Sequence, residues 1–190
     1  MKKKTNFLII VTLLFLTCIS HAQNDNVNKN NYLGASIQAY PAGIIPTINL
    51  EHFTNENSSF VYRIGANLTD RQDFSEENDH EEGSGFGGSV GYRKYFKFKK
   101  GDFFIGANID LWYLSIDWEN NLGLPTETIG NTNILVVQPW LEGGYFFNLN
   151  ETSRLGLALG FGREINVITD GNDVAQDFIG SINIQYMFKI

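Results

Sequence analysis

Residues Phe178–Ile190 read FIGSINIQYMFKI, and they alternate. Phe178, Gly180, Ile182, Ile184, Tyr186, Phe188 and Ile190 fall on one face, Ser181, Asn183, Gln185 and Lys189 on the other, with Ile179 and Met187 as exceptions. A period of two over such a length marks a strand with a different environment on each side. Working back through the chain, seven further segments alternate in the same way: Tyr32–Tyr40, Thr47–Phe53, Phe60–Thr69, Gly85–Phe98, Phe103–Ile116, Ile134–Phe147 and Arg154–Ile165. Their connections also alternate. Thr54–Ser59, Lys99–Asp102 and Asn148–Ser153 are short, whereas Asp70–Ser84, Asp117–Asn133 and Asn166–Asp177 are longer and more polar. Pro41–Pro46 is short and breaks this order. Short turns at one end and long loops at the other are the plan of an up-and-down barrel that crosses an outer membrane. A repeated pattern on the odd strands (Leu33-Gly34-Ala35, Ile64-Gly65-Ala66, Ile105-Gly106-Ala107) fits hairpins set around an axis.

Alternation alone leaves open which face is inside. The polar face carries Gly34, Gly65, Gly87, Gly91, Gly106, Gly144, Gly156, Gly160 and Gly162, interleaved with Ser, Asn and Gln and almost without Lys. Glycine on a water-facing strand weakens it, whereas a narrow lumen requires small residues. The opposite face is Leu, Ile and Val. Its aromatic residues gather beside the short turns: Phe60 and Tyr62; Phe96, Phe98 and Phe103; Tyr145 and Phe147; Tyr186 and Phe188. That is the arrangement of an interfacial girdle on a lipid-facing wall.

The lumen face also carries charges of both signs, Glu51, Arg63, Arg93, Asp110 and Glu142. Charges enclosed in a barrel need partners. A two-residue turn at Gly101-Asp102 puts Arg93 opposite Asp110, and the first short hairpin puts Glu51 opposite Arg63, with Glu142 joining the same structural network. Trp112 and Trp140 share the lumen parity as filler; Trp118, near a long loop, is expected to anchor the outer interface. Pro139 removes a ladder donor within strand six and predicts a bulge.

The start of the chain reads as an export signal: Lys2, Lys3 and Lys4, an apolar run Phe7–Leu16, and Ser20-His21-Ala22 before Gln23. A lipoprotein reading through Cys18 is disfavoured by the bulky residues before it. Cleavage at Ala22 leaves a polar leader over residues 23–31 and the barrel over 32–190. It lowers Lys plus Arg from 14 to 11 against 21 Asp plus Glu, a net charge of −10, which argues against a nucleic-acid partner.

At this point the chain resembles the small outer-membrane β-barrel proteins of Gram-negative bacteria, the eight-stranded OmpA/OmpX-like kind, and its export signal looks like those of the Bacteroidota. The resemblance covers Tyr32 to Ile190 and rests on pattern. The final strand is similar to the carboxyl-terminal signal read by the barrel-assembly machinery, which usually ends in Phe where this chain has Ile190. The resemblance implies integral outer-membrane localisation, with membrane lipid and lipopolysaccharide as neighbours.

Chemistry is sparse. The mature sequence has His52 and His80 and no Cys. His52 lies by a short turn and His80 in the acidic stretch Asp70–Gly83, read as a hydrated loop; no catalytic, cofactor or metal residues are assigned. Asp170-Gly171-Asn172-Asp173 begins like a calcium loop without its later ligands. The sequence therefore predicts an all-β, eight-stranded antiparallel up-and-down transmembrane β-barrel with a filled lumen and a structural or surface-interaction role. A narrow channel for small solutes, a lipid-modifying rim enzyme and, for a soluble chain, a lipocalin-like carrier are the alternatives.

Overall fold

The computed structural model describes residues 31–72 and 78–190. The expected signal, Cys18, the leader up to residue 30, and Asp73, Glu76 and Glu77 lie outside them. The described chain forms β1 (Asn31–Tyr40), β2 (Gly43–Asn55), β3 (Ser58–Gln72), β4 (His80–Phe98), β5 (Gly101–Asn120), β6 (Thr128–Asn148), β7 (Ser153–Arg163), β8 (Ile165–Asp170) and β9 (Phe178–Lys189). Every pairing is antiparallel, and the ring closes through β1 with β9 and β5 with β6. β7 and β8 are two halves of one stave, both on β6, so the barrel has eight staves.

The stave splits opposite Pro139. Its carbonyl oxygen lies on the β7 side, 2.6 Å from where a Cβ on Gly162 would stand. Its ring nitrogen faces the same way and has no hydrogen to give. The ladder with β6 ends at Gly162 and resumes at Ile165. The predicted bulge is thus a gap in the ladder; the register shift itself falls farther on, between Leu135 and Val136.

Several strands run past the expected ends. β3 reaches Gln72 and β4 starts at His80, so most of the described part of the stretch read as a hydrated loop is sheet. β5 continues to Asn120, which keeps Trp118 on the same parity as Trp112. Trp118 accordingly points inward, 8% exposed, and donates through Nε1 to Thr132 Oγ1 at 3.1 Å; the expected outer anchor is an interior residue.

The barrel is inside-out relative to a soluble one. Outward residues of β5 run Phe103, Ile105, Ile109, Leu111, Tyr113, all substantially exposed, before Ser115 and Asp117 begin a polar region. That apolar stretch spans roughly 25 Å along a tilted barrel axis. Aromatic rings bound it at both heights: Phe60, Tyr92, Phe96 and Phe103 beside the short turns, and Phe86, Tyr113, Phe161 and Phe178 near the mouth. Only the first of these belts was legible in the sequence. Inside, β4 approaches β5 closely: a Cβ on Gly87 would stand 2.6 Å from Trp112 Cε3.

Candidate functional site in the lumen

Three polar tiers fill the barrel. At the base, Glu51 on β2 accepts hydrogen bonds from Ser59, Tyr95 and Arg154. Arg93 on β4 lies 3.5 Å from the same carboxylate, donates from Nε to Glu142 Oε1 at 2.7 Å, and from Nη1 to Gln185 Oε1 at 3.1 Å. Rings wall these cations. Arg154 stands 3.9 Å over Tyr32 and 4.0 Å over Phe146, and Arg93 4.5 Å over Phe104. A guanidinium keeps planar faces for aromatic contact while its edges hold carboxylates, which explains arginine rather than lysine here.

In the middle, Arg63 grips Asp110 with Nη2 at 2.7 and 2.9 Å to its two oxygens, and its Nη1 donates to Gln38 Oε1 at 2.8 Å. Both residues of the pair are buried. Just below the mouth, Arg71 reaches Glu81 at 3.1 Å and Glu164 at 3.0 Å, and Gln138 Nε2 donates to the other oxygen of Glu164 at 3.1 Å. Around and below this tier an apolar cluster includes Tyr40, Ile45, Trp112, Ile116, Trp118 and Trp140.

Residues 171–177 fold into the mouth. Val174 joins the apolar cluster, 4% exposed. The carbonyls of Asn172, Asp173, Val174 and Ala175 accept from Thr132, Asn78, Asn166 and Arg71 respectively, and Ala175 N donates to Glu81. The segment that begins like a calcium loop is thus a cap held through its backbone. Among the described residues no group of three or more His, Cys, Asp or Glu is arranged for a metal.

All five charges expected in the lumen are there, but two pairings differ. Asp110 stands opposite Ser89, and Arg93 opposite Gly106. The turn is Lys99-Lys100, with Phe98 facing Gly101. Gly101 is glycine for close packing, not for a turn: a Cβ there would lie 2.0 Å from Phe146 O. Likewise Glu51 faces Val61 and Arg63 faces Asn49: the turn closes between Asn55 and Ser58, and an irregularity between Phe53 and Asn55 shifts the register by one residue more. Arg154, Arg71, Glu81 and Glu164 were missed. Arg154 shares the parity of Gly156, which was the available signal; Arg71 and Glu81 fell in the presumed loop. The histidines stay outside the lumen. His52 bonds Asn31 Oδ1 at 2.7 Å, and His80, placed by strand extension on the outer rim, lies 3.3 Å from Asp70 and 3.5 Å from Glu119.

The interior leaves little room. A void of about 10 Å³ is lined by Gln38, Asn108, Trp140, Glu142, Ser181 and Asn183 among others. It is the size of a single water molecule, and Asn108 Oδ1, Trp140 Nε1 and Asn183 Oδ1, on residues that line it, have no hydrogen-bond partner within the protein.

This geometry defines a small eight-staved up-and-down barrel with an apolar exterior and an ion-paired interior. No protein-family model and no curated protein matches the sequence. Among solved structures, the chain is similar to Neisserial surface protein A, with a TM-score of 0.53 and 12% identity over 85% of this chain and 96% of that one. It also matches the N-terminal β-barrel domain of Pseudomonas aeruginosa OprF (TM-score 0.45, 10% identity, 84% and 97% covered). A third match is Ail of Yersinia pestis (0.43, 9%, 85% and 97%). At such identities the likeness to the Neisserial protein is one of fold.

Proposed function

We propose that this chain is an integral outer-membrane barrel, delivered by a cleaved amino-terminal signal and inserted through its final strand, with a structural or surface-interaction role and no enzymatic one. The observation that carries this reading is the outward apolar band, bounded by aromatic rings at both heights, over a lumen of paired charges. In water such a wall would expose an apolar surface far beyond the few hundred Å² typical of a soluble monomer. In a bilayer the same wall is satisfied, and closure into a ring leaves no unpaired strand edge. The likeness of fold to a surface protein of known structure supports the same placement. The mouth then presents an acidic surface, with Asp70, Glu82 and Asp117 side by side across three strands, to the lipopolysaccharide layer and to outside partners.

The test is migration of the membrane-extracted protein on an SDS gel with and without boiling. A faster unboiled band is expected. Recovery in the soluble periplasmic fraction without a shift would overturn the reading.

A further inference from the structure

The described lysines are segregated. Lys94, Lys97, Lys99, Lys100 and Lys189 all lie at the short-turn end, while the mouth carries exposed acids such as Asp70, Glu82, Asp117 and Asp170. Four of the five belong to one hairpin, β4–β5. Of these, Lys94 is the unusual one. It stands in the outward row of β4 between Tyr92 and Phe96, with Ser58 and Ile105 as its cross-strand neighbours. It is therefore set into the aromatic belt of the apolar wall rather than below it. Its ammonium donates to Ser58 Oγ at 3.3 Å, a neutral partner, and no ion pair of the described residues includes it. Lys97 has the inward parity of Arg93 and Tyr95 and faces Asp102, whereas Lys99-Lys100 form the turn of the hairpin.

A cation at this depth is stabilised by an anion that can enter the edge of the apolar layer. The wall beside it accommodates what such an anion would carry. One step beyond Ile105 in the same row is Gly143, where a Cβ would meet nothing nearer than 3.9 Å, leaving a furrow flanked by Leu141 and Tyr145. An ammonium above a lysine-rich turn, two strands from an apolar furrow across Ile105, matches a phosphate attached to acyl chains.

We infer that the outer base of the β4–β5 hairpin is a binding site for the phosphate of an anionic phospholipid of the periplasmic leaflet. Lys94 makes the deepest contact, with Lys99 and Lys100 of the turn around the headgroup. This rests on the membrane reading above. It also gives the barrel a defined height and a preferred lipid neighbour, which a girdle of rings alone does not supply.

The experiment incorporates the purified full chain into vesicles of phosphatidylethanolamine with phosphatidylglycerol, and counts lipids retained by native mass spectrometry. Wild type is expected to retain phosphatidylglycerol preferentially. Lys94→Gln should lower that preference roughly fivefold, the effect of about one lysine at a membrane surface. The K99Q/K100Q variant should also lower it, and Lys189→Gln, on the opposite side of the barrel, should leave it unchanged. Excess inorganic phosphate should not displace the lipid; displacement would assign the site to free phosphate and overturn the lipid proposal. Equal retention in Lys94→Gln and wild type would overturn it too. Each variant is first run unboiled: a fast band shows an intact barrel, so a lost preference with that band present belongs to the site. Absence of the band in wild type would instead defeat the membrane reading and the site with it.

Discussion

At the scale of single residues, the lumen is governed by pairing and by space. Asp110 neutralises Arg63 through two hydrogen bonds in a site closed to water. Asp110→Asn leaves a buried guanidinium without its counter-charge and should destabilise the barrel by about 3–5 kcal/mol. The double change R63M/D110L removes both charges and should recover most of that loss. Urea titration of the fast-migrating fraction reads both, and equal loss in the two variants would contradict the pairing. Space is tested by glycine. Gly87→Val drives a side chain into Trp112 and against Leu111 O, 2.1 Å from the Cβ position, so the folded yield should collapse. Gly143→Ala, on the open outer wall, should fold as wild type does.

At the scale of elements, the strands were legible because a polar lumen and an apolar exterior imprint a strict period of two on the chain. Register was not. It depends on where each turn closes, and Gly101, read as a turn residue, is small because β6 crosses close to it. The charges that alternation placed on the lumen face do lie there, yet their partners are cross-barrel neighbours that no local spacing encodes: Arg63 meets Asp110 two strands away, and Arg154 meets Glu51 around the ring. The upper tier was hidden for another reason. Asp70–Gly83 is so polar that it reads as loop, although Arg71 and Glu81 are directly paired strand residues. The Pro139 gap offers a test at this scale. Pro139→Val supplies an amide on the side facing Arg163, which should close the ladder between β7 and β8. Hydrogen exchange at residues 138–140 and 163–165 should slow, with a gain of about 0.5–1.5 kcal/mol, the net value of one hydrogen bond. Unchanged exchange would mean that the stave is held apart by something other than the missing donor.

At the scale of the whole molecule, two closures stand in series along the axis. The cap of residues 171–177 seals the mouth through Val174 and four backbone carbonyls. Beneath it, Trp112, Trp140 and the Arg63–Asp110 pair fill the cross-section, as eight staves require. The two make different predictions. Replacing residues 172–176 by a Gly-Ser segment removes Val174 from its apolar cluster and exposes Trp118, which should become quenchable by acrylamide where it is shielded in wild type. Conductance should not follow. In planar bilayers both proteins should show no resolvable current steps, because the lower tiers remain packed around a space for about one water. Steps in the replaced variant alone would make the cap the sole barrier and turn the barrel into a gated channel for small solutes. Steps in wild type would show that the lumen charges line a path instead of closing one.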